Sequence, residues 1–225
     1  MRKLIPILAL LFTTSALAAD DPVARWARAV GGSEKIGVVQ AISREGTLTF
    51  GGMEGTIKVW HTADGRYRKE ERVGMFSSIE TFDGTVGMVQ KGGGAPQRVI
   101  GAELEIANSK AYANSNAIFF VFAPKRRGTL TTEGGDTIVF KPEGGIEWRV
   151  VLDPQTSLPK TMLHKEGERT ISVTFASWET VDGIRLEKEI HRSNGMPGFD
   201  AVIRFDKTVI NPPLDASLFT IASPN

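Results

Sequence analysis

The residues Thr56-Ile57-Lys58-Val59-Trp60-His61, the Asp64-Gly65 pair behind them and the charged run Arg66 to Val73 decide the fold. Between Thr56 and His61 apolar and polar side chains alternate, the period of a strand with one wet face. Asp-Gly favours a tight reversal because both residues tolerate positive φ, so Arg66 to Val73 returns antiparallel. Outward from this hairpin the period of two begins upstream at Ala41 and continues downstream. Met75 to Phe82, the Asp83-Gly84 turn and Thr85 to Gln90 add strands before Gly92-Gly93-Gly94 and Pro96 mark a loop.

The second half repeats the pattern. Asp136 to Phe140, Ile146 to Leu152, Leu158 to His164, Ile171 to Trp178, Ile184 to Ile190 and Ala201 to Thr208 all alternate, joined mostly by short turns such as Gly144-Gly145, Asp153-Pro154 and Asp182-Gly183. About ten to eleven strands are expected, with no repeat of solenoid length. The fold class is mainly β with a few helices: a single curved antiparallel sheet forming an incomplete, unclosed β-barrel, with helices covering its concave apolar face. A helix is expected from Pro22 to about Val30, with Asp21 as its cap and Gly31-Gly32 as its end, and Ser33 opens a second turn. Another spans Gly101 to Ala117, where Leu104, Ala107 and Ala111 share a face.

Sorted by face, the strands place Ile57, Val59, Met75, Ile79, Met88, Phe140, Trp148, Met162, Phe175 and Phe205 on one side. The other side is rich in Arg, Lys, Glu and Thr. An apolar sheet face has to be covered. The expected helices amount to roughly 25–30 residues, about 40 Å of rod at 1.5 Å per residue, little material for so many strands. Either the sheet curls until its own side chains meet, or a cavity remains for an apolar ligand. Phe119-Phe120-Val121-Phe122 is a lid over that face or a buried edge strand; Phe119, Phe120 and Phe122 join the candidate ligand-binding residues. Lys125-Arg126-Arg127 with Arg66, Arg68 and Arg72 form a basic rim for an acidic partner or phosphate headgroup, or an ordinary charged surface.

Reactive chemistry is scarce. His61, His164 and His191 are isolated and the chain has no Cys, so no metal site, catalytic residue or cofactor is expected. The close acidic residues Glu70-Glu71, Glu103/Glu105 and Glu187/Glu189 read as solvated charges. Phosphate-loop, dinucleotide and nucleophile-elbow motifs are missing, so a binding role is expected in place of an enzymatic one.

Arg2-Lys3, the apolar run Leu4 to Phe12 and Ala16-Leu17-Ala18 follow the grammar of a cleavable signal peptide over residues 1–18. A single domain over residues 20–225, soluble and exported to a periplasm, is then expected. Taking Arg2 and Lys3 from 27 basic residues against 26 acidic leaves about −1, a balance with no general attraction to nucleic acid.

The series Gly55-Thr56-Ile57-Lys58-Val59-Trp60, Arg66-Tyr67-Arg68 and Phe82-Asp83-Gly84 resembles the front half of the LolA-like group of periplasmic proteins. Leu152-Asp153-Pro154 with Leu158-Pro159, Val181-Asp182-Gly183-Ile184 and Asn211-Pro212-Pro213-Leu214 with Phe219 resemble its rear half. The group's carriers have an Arg-Pro pair where this chain has His61-Thr62-Ala63-Asp64, and a Trp near Met88. The resemblance implies an unclosed β-barrel that holds acyl chains of a lipoprotein or lipid, acting in outer-membrane lipoprotein sorting. The implied carrier is a monomer, with inner- and outer-membrane envelope proteins as further partners. The alternative is an envelope protein-interaction or sensing module on the same fold.

Overall fold

The computed structural model describes residues 21–221; the signal peptide expected over residues 1–18 and its cut near Asp20 lie outside them. The chain enters through two helices, α1 (Pro22–Ala29) and α2 (Ser33–Gly37). A first meander follows: β1 (Ala41–Phe50), β2 (Met53–Thr62), β3 (Tyr67–Val73), β4 (Phe76–Phe82), β5 (Gly87–Lys91) and β6 (Gln97–Arg98). Helices α3 (Ala102–Ala113) and α4 (Ile118–Val121) separate it from a second meander. That meander comprises β7 (Gly128–Glu133), β8 (Thr137–Pro142), β9 (Trp148–Leu152), β10 (Pro159–Glu166), β11 (Arg169–Val181), β12 (Ile184–Ser193) and β13 (Ala201–Ile210).

Within each meander, neighbours in sequence are neighbours in the sheet, and β13 returns to pair with β1, placing Ile42 opposite Ile210 and Phe50 opposite Ala201. One antiparallel sheet of thirteen strands results, with β6 and β7 as its unpaired edges. It is an unclosed barrel. The count exceeds the expected ten to eleven because both edge strands lack the apolar alternation that marks a half-buried strand. β6 has two residues and β7 is Thr-rich and almost wholly exposed.

The tight reversal at Asp64-Gly65 is present, and Gly65 is needed there twice over. Its φ is +85°, and a Cβ would lie 2.5 Å from the Tyr112 hydroxyl of α3. Close packing by α3 rests on small side chains: Ala107, Ala111 and Ala113 are buried. The helix bridges the gap between the sheet edges. Lys110 Nζ donates to Glu80 on β4 at 3.3 Å, while Asn108 Nδ2 donates to the Glu143 carbonyl at 2.7 Å and Ser109 Oγ accepts from Ile146 N–H at 2.8 Å.

At one end of the barrel α1 and α4 form a plug. Asp21 caps α1 by accepting from Val23 N–H, and Arg25 pairs with Asp136 at 2.7 Å in front of β8. Trp26 is fully buried and meets Phe122 edge-on, with ring centroids 5.2 Å apart. The Phe119–Phe122 run is therefore neither a lid nor an edge strand. Ile118–Val121 form one helical turn whose four side chains are all buried in the main core. Asn116 and Ala117 ahead of it have φ of 59° and 56°, a costly backbone for residues with a Cβ, held in place by the packing of α4. Trp26→Ala should lower unfolding stability by about 3–5 kcal/mol, measured by urea titration, because a large cavity would open in the plug.

Candidate functional site

The opposite end of the barrel is open, and the concave face encloses a cleft of about 760 Å³. Its wall is continuous across the β1–β13 junction: Leu48 on β1, Ile57 and Val59 on β2, and Ile203 and Phe205 on β13 are buried and line it. Met162 on β10, Val173 and Phe175 on β11 and Ile190 on β12 extend the apolar surface. Exposed liners sit at the strand ends: Met53 begins β2, Met75 and Phe76 lie at the β3–β4 turn, and Phe199 precedes β13. The cleft opens there.

Of the thirteen candidate residues, Ile57, Val59, Trp148, Met162, Phe175 and Phe205 line the cleft wall, and Met75 stands at its rim. Met75 lies in a turn ahead of β4 and is 89% exposed, so it is not the inward strand residue expected. Ile79 pairs with Glu70, one place from the inward Lys69–Glu80 pair, and so stands on the outer face. Met88 pairs with Thr81 and borders a smaller cleft under α3, not the main one. Phe119, Phe120 and Phe140 are core residues, and Phe122 packs against them.

The larger correction concerns charge. Lys69, Glu71 and Glu80 face inward, where an apolar face was expected. Lys69 Nζ lies 3.1 Å from both Glu71 and Glu80. Across the cleft, His164 Nε2 meets Glu166 at 3.1 Å and Arg192 reaches Glu166 at 3.6 Å. Burial opposes ionisation of Glu80, yet Lys69 and Lys110 outweigh it and hold the carboxyl well below the usual range. The His164 hydrogen bond, helped by Lys110 and Arg192 against burial, brings Glu166 down to about 2. Burial lowers His164 more than Glu166 raises it, so its ring favours the neutral form. The rim expected from Lys125-Arg126-Arg127, Arg66, Arg68 and Arg72 does not line the cleft. Arg66 pairs with Asp64, Arg68 with Glu70, and Arg126 donates to the backbone carbonyls of Val121, at the end of α4, and Ala123.

Glu187, expected as a solvated charge, is buried deep in the cleft wall. Register shifts around Ser177 in the β11–β12 pairing break the alternation, which turns it inward while Glu189 stays at the surface. It pairs with Arg44 at 2.7 Å, the two side chains 2% and 1% exposed. Arg44 also donates to the Glu187 carbonyl oxygen and to Thr208 Oγ1, and its guanidinium lies 3.7 Å from the Phe205 ring centroid. Burial raises the Glu187 carboxyl despite this partner. His61 is fully buried with neither ring nitrogen hydrogen-bonded; burial and the Arg44 charge depress it to about 3.

An aromatic ladder joins helix to sheet: Tyr112 to Phe120 at 5.8 Å, Phe120 to Phe140 at 5.1 Å, Phe140 to Trp148 at 6.4 Å and Trp148 onto the His164 ring at 3.7 Å. At its end Trp148 Nε1, His164 Nδ1 and both amide atoms of Asn116 are buried without a hydrogen-bond partner, and all three residues line the cleft. Among the described residues no three His, Asp or Glu side chains gather as metal ligands, and no helix is long and apolar enough to cross a membrane.

No protein-family model matches the sequence, and no curated protein matches it either. Solved structures do match. A LolA superfamily protein from Nitrosomonas europaea aligns over 92% of this chain and 99% of its own, with a TM-score of 0.57 at 8% identity. A DUF1329 family protein from Desulfovibrio piger aligns over 88% and 95%, with a TM-score of 0.55 at 12% identity. A putative outer membrane lipoprotein-sorting protein domain from Vibrio parahaemolyticus aligns over 88% and 94%, with a TM-score of 0.50 at 9% identity. The chain has the LolA-like fold.

Two outcomes test the buried charges. The unfolded chain protonates His61 below the ordinary value of 6.5 while the folded chain resists to about 3, so stability should fall as pH drops through that window. His61→Phe should remove a slope of up to about 1.4 kcal/mol per pH unit, read from urea titrations between those pH values. Arg44→Met should cost about 3–5 kcal/mol by leaving Glu187 buried alone, and adding Glu187→Leu should restore most of it.

Proposed function

We propose that this chain is a non-enzymatic binding and carrier protein of the bacterial periplasm. It holds the acyl chain of a lipid or lipoprotein in the cleft inside its sheet, in the service of outer-membrane lipoprotein sorting. The observation that carries this reading is the cleft itself: about 760 Å³, walled by apolar side chains from both meanders and open at one end. That size falls within the range of small-molecule sites. Each methylene moved from water into such a wall contributes about 0.8 kcal/mol. Ten of them offer about 8 kcal/mol before the costs of association.

The fold of the Vibrio lipoprotein-sorting domain supports the assignment, as does the signal-like stretch Leu4 to Phe12 with Ala16-Leu17-Ala18. Ile57, Val59, Met162, Phe175 and Phe205 form the binding surface in this reading, and Trp148 its inner end. Envelope proteins of the two membranes load and unload the cleft.

Mass spectrometry of solvent extracts from protein purified without detergent from a periplasmic fraction tests the reading. A stoichiometric acylated species is expected. Lipid-free protein that also ignores a fluorescent fatty-acyl probe would reject it. Phe50→Glu and Ile190→Glu, at half-buried cleft positions, should each weaken the probe at least about tenfold, since a charge must be desolvated beside the chain. Val202→Glu, whose side chain is exposed and does not line the cleft, should leave it unchanged.

A further inference from the structure

The main cleft and the smaller one under α3, about 370 Å³, share a wall on which charge is concentrated. Lys69, Lys91, Lys110 and Arg192 border both spaces, together with Glu71 and Glu166. Half of this set is self-contained: Lys69 and Lys110 are matched by Glu71 and Glu80 through contacts of 3.1–3.3 Å. The other half is not. Arg192 reaches Glu166 at 3.6 Å through one nitrogen, and Arg169, the Cα partner of Glu166 across the β10–β11 hairpin, lines the same cleft. Lys91 faces the same space from β5. Three cations therefore stand against one carboxylate, and among the described residues Lys91 and Arg169 form no ion pair.

A second observation lies beside them. His164, whose Nε2 bonds Glu166, keeps Nδ1 without a partner, as do Trp148 Nε1 and the Asn116 amide. All three residues are at most 6% exposed and line the main cleft. A purely hydrocarbon ligand would leave these donors and acceptors unsatisfied in a dry site, which is unfavourable. A ligand with an ester or amide group at that depth would satisfy them.

We propose that the occupant is an anionic amphiphile. Its phosphate or carboxylate head sits on Lys91, Arg169 and Arg192, its ester or amide linkage meets Trp148, His164 and Asn116, and its chain lies along Leu48, Ile57 and Ile203. Charge-assisted bonds from arginine suit a planar or tetrahedral oxyanion, and the neighbouring low-dielectric wall strengthens them. This deepens the acyl-binding reading and rests on it.

Calorimetric titration of the delipidated protein with four probes tests the inference: palmitoyl lysophosphatidate, palmitate, monopalmitoylglycerol and glycerol phosphate. Lysophosphatidate and palmitate should bind at least about tenfold tighter than the neutral glyceride, and glycerol phosphate at least about a hundredfold weaker than lysophosphatidate. The exposed-side variant K91Q/R169Q/R192Q should lose the preference and keep its affinity for the glyceride. Equal affinity for lysophosphatidate and glyceride in the unaltered protein would overturn the headgroup site while leaving chain binding intact. Glycerol phosphate binding as tightly as lysophosphatidate would overturn it in favour of a free phosphate compound. Failure of all three acyl probes would remove the reading on which it rests.

Discussion

Nine Cα partners join β1 to β13, from Ile42–Ile210 to Phe50–Ala201. Without that ladder the chain would be two separate meanders, each exposing one more sheet edge. With it, thirteen strands act as a single surface, and the apolar wall of the candidate site runs unbroken from β2 through β1 and β13 to β12. The pairing brings together residues some 160 positions apart, so its loop-closure cost falls on an early and a late strand at once. It also sends the free edges, β6 and β7, to the far side of the barrel, where α3 and α4 connect them. The opening of the barrel and the helices that cover it are consequences of the same junction.

A concave sheet of this width has more apolar surface than four short helices can cover. α1 and α4 seal one end with Trp26 and the Phe119–Phe122 turn, and α3 lies across the gap on its alanine face. The rest is managed with charge. Lys69, Glu71 and Glu80 face Glu166 and Arg192 across the interior, so the uncovered part is divided into an apolar cleft and a polar one. Inward ion pairs also discourage the cleft from collapsing on itself, because closing it would desolvate them further.

The buried Arg44–Glu187 pair belongs to the same economy of space, not to a surplus of stability. Desolvation of the two charges outweighs their attraction, as the upward shift of Glu187 and the downward shift of Arg44 indicate. What the pair supplies is position: it ties β1 to β12 in the cleft wall and holds the guanidinium over the Phe205 ring. His61, close enough for the Arg44 charge to act on it, shares that low-dielectric region.

The antiparallel architecture, the hairpin at Asp64-Gly65, the helix built on Ala107 and Ala111 and the inward facing of Ile57, Val59, Trp148, Met162, Phe175 and Phe205 were legible in the sequence. Each depends on local periodicity or turn chemistry, which a chain expresses before it folds. Four features were not. Ile79 and Met88 look like inward residues, but alternation defines two faces without saying which is inside; pairing of Lys69 with Glu80 decided that. Glu187 turns inward because of bulges in β11–β12, and a bulge leaves no periodic trace. β6 and β7 take their strand conformation from a neighbour instead of from their own composition. The run Phe119-Phe120-Val121-Phe122 is apolar on every side, so its periodicity is silent, and only the tertiary packing of Trp26 and Phe140 around it selected a buried helical turn.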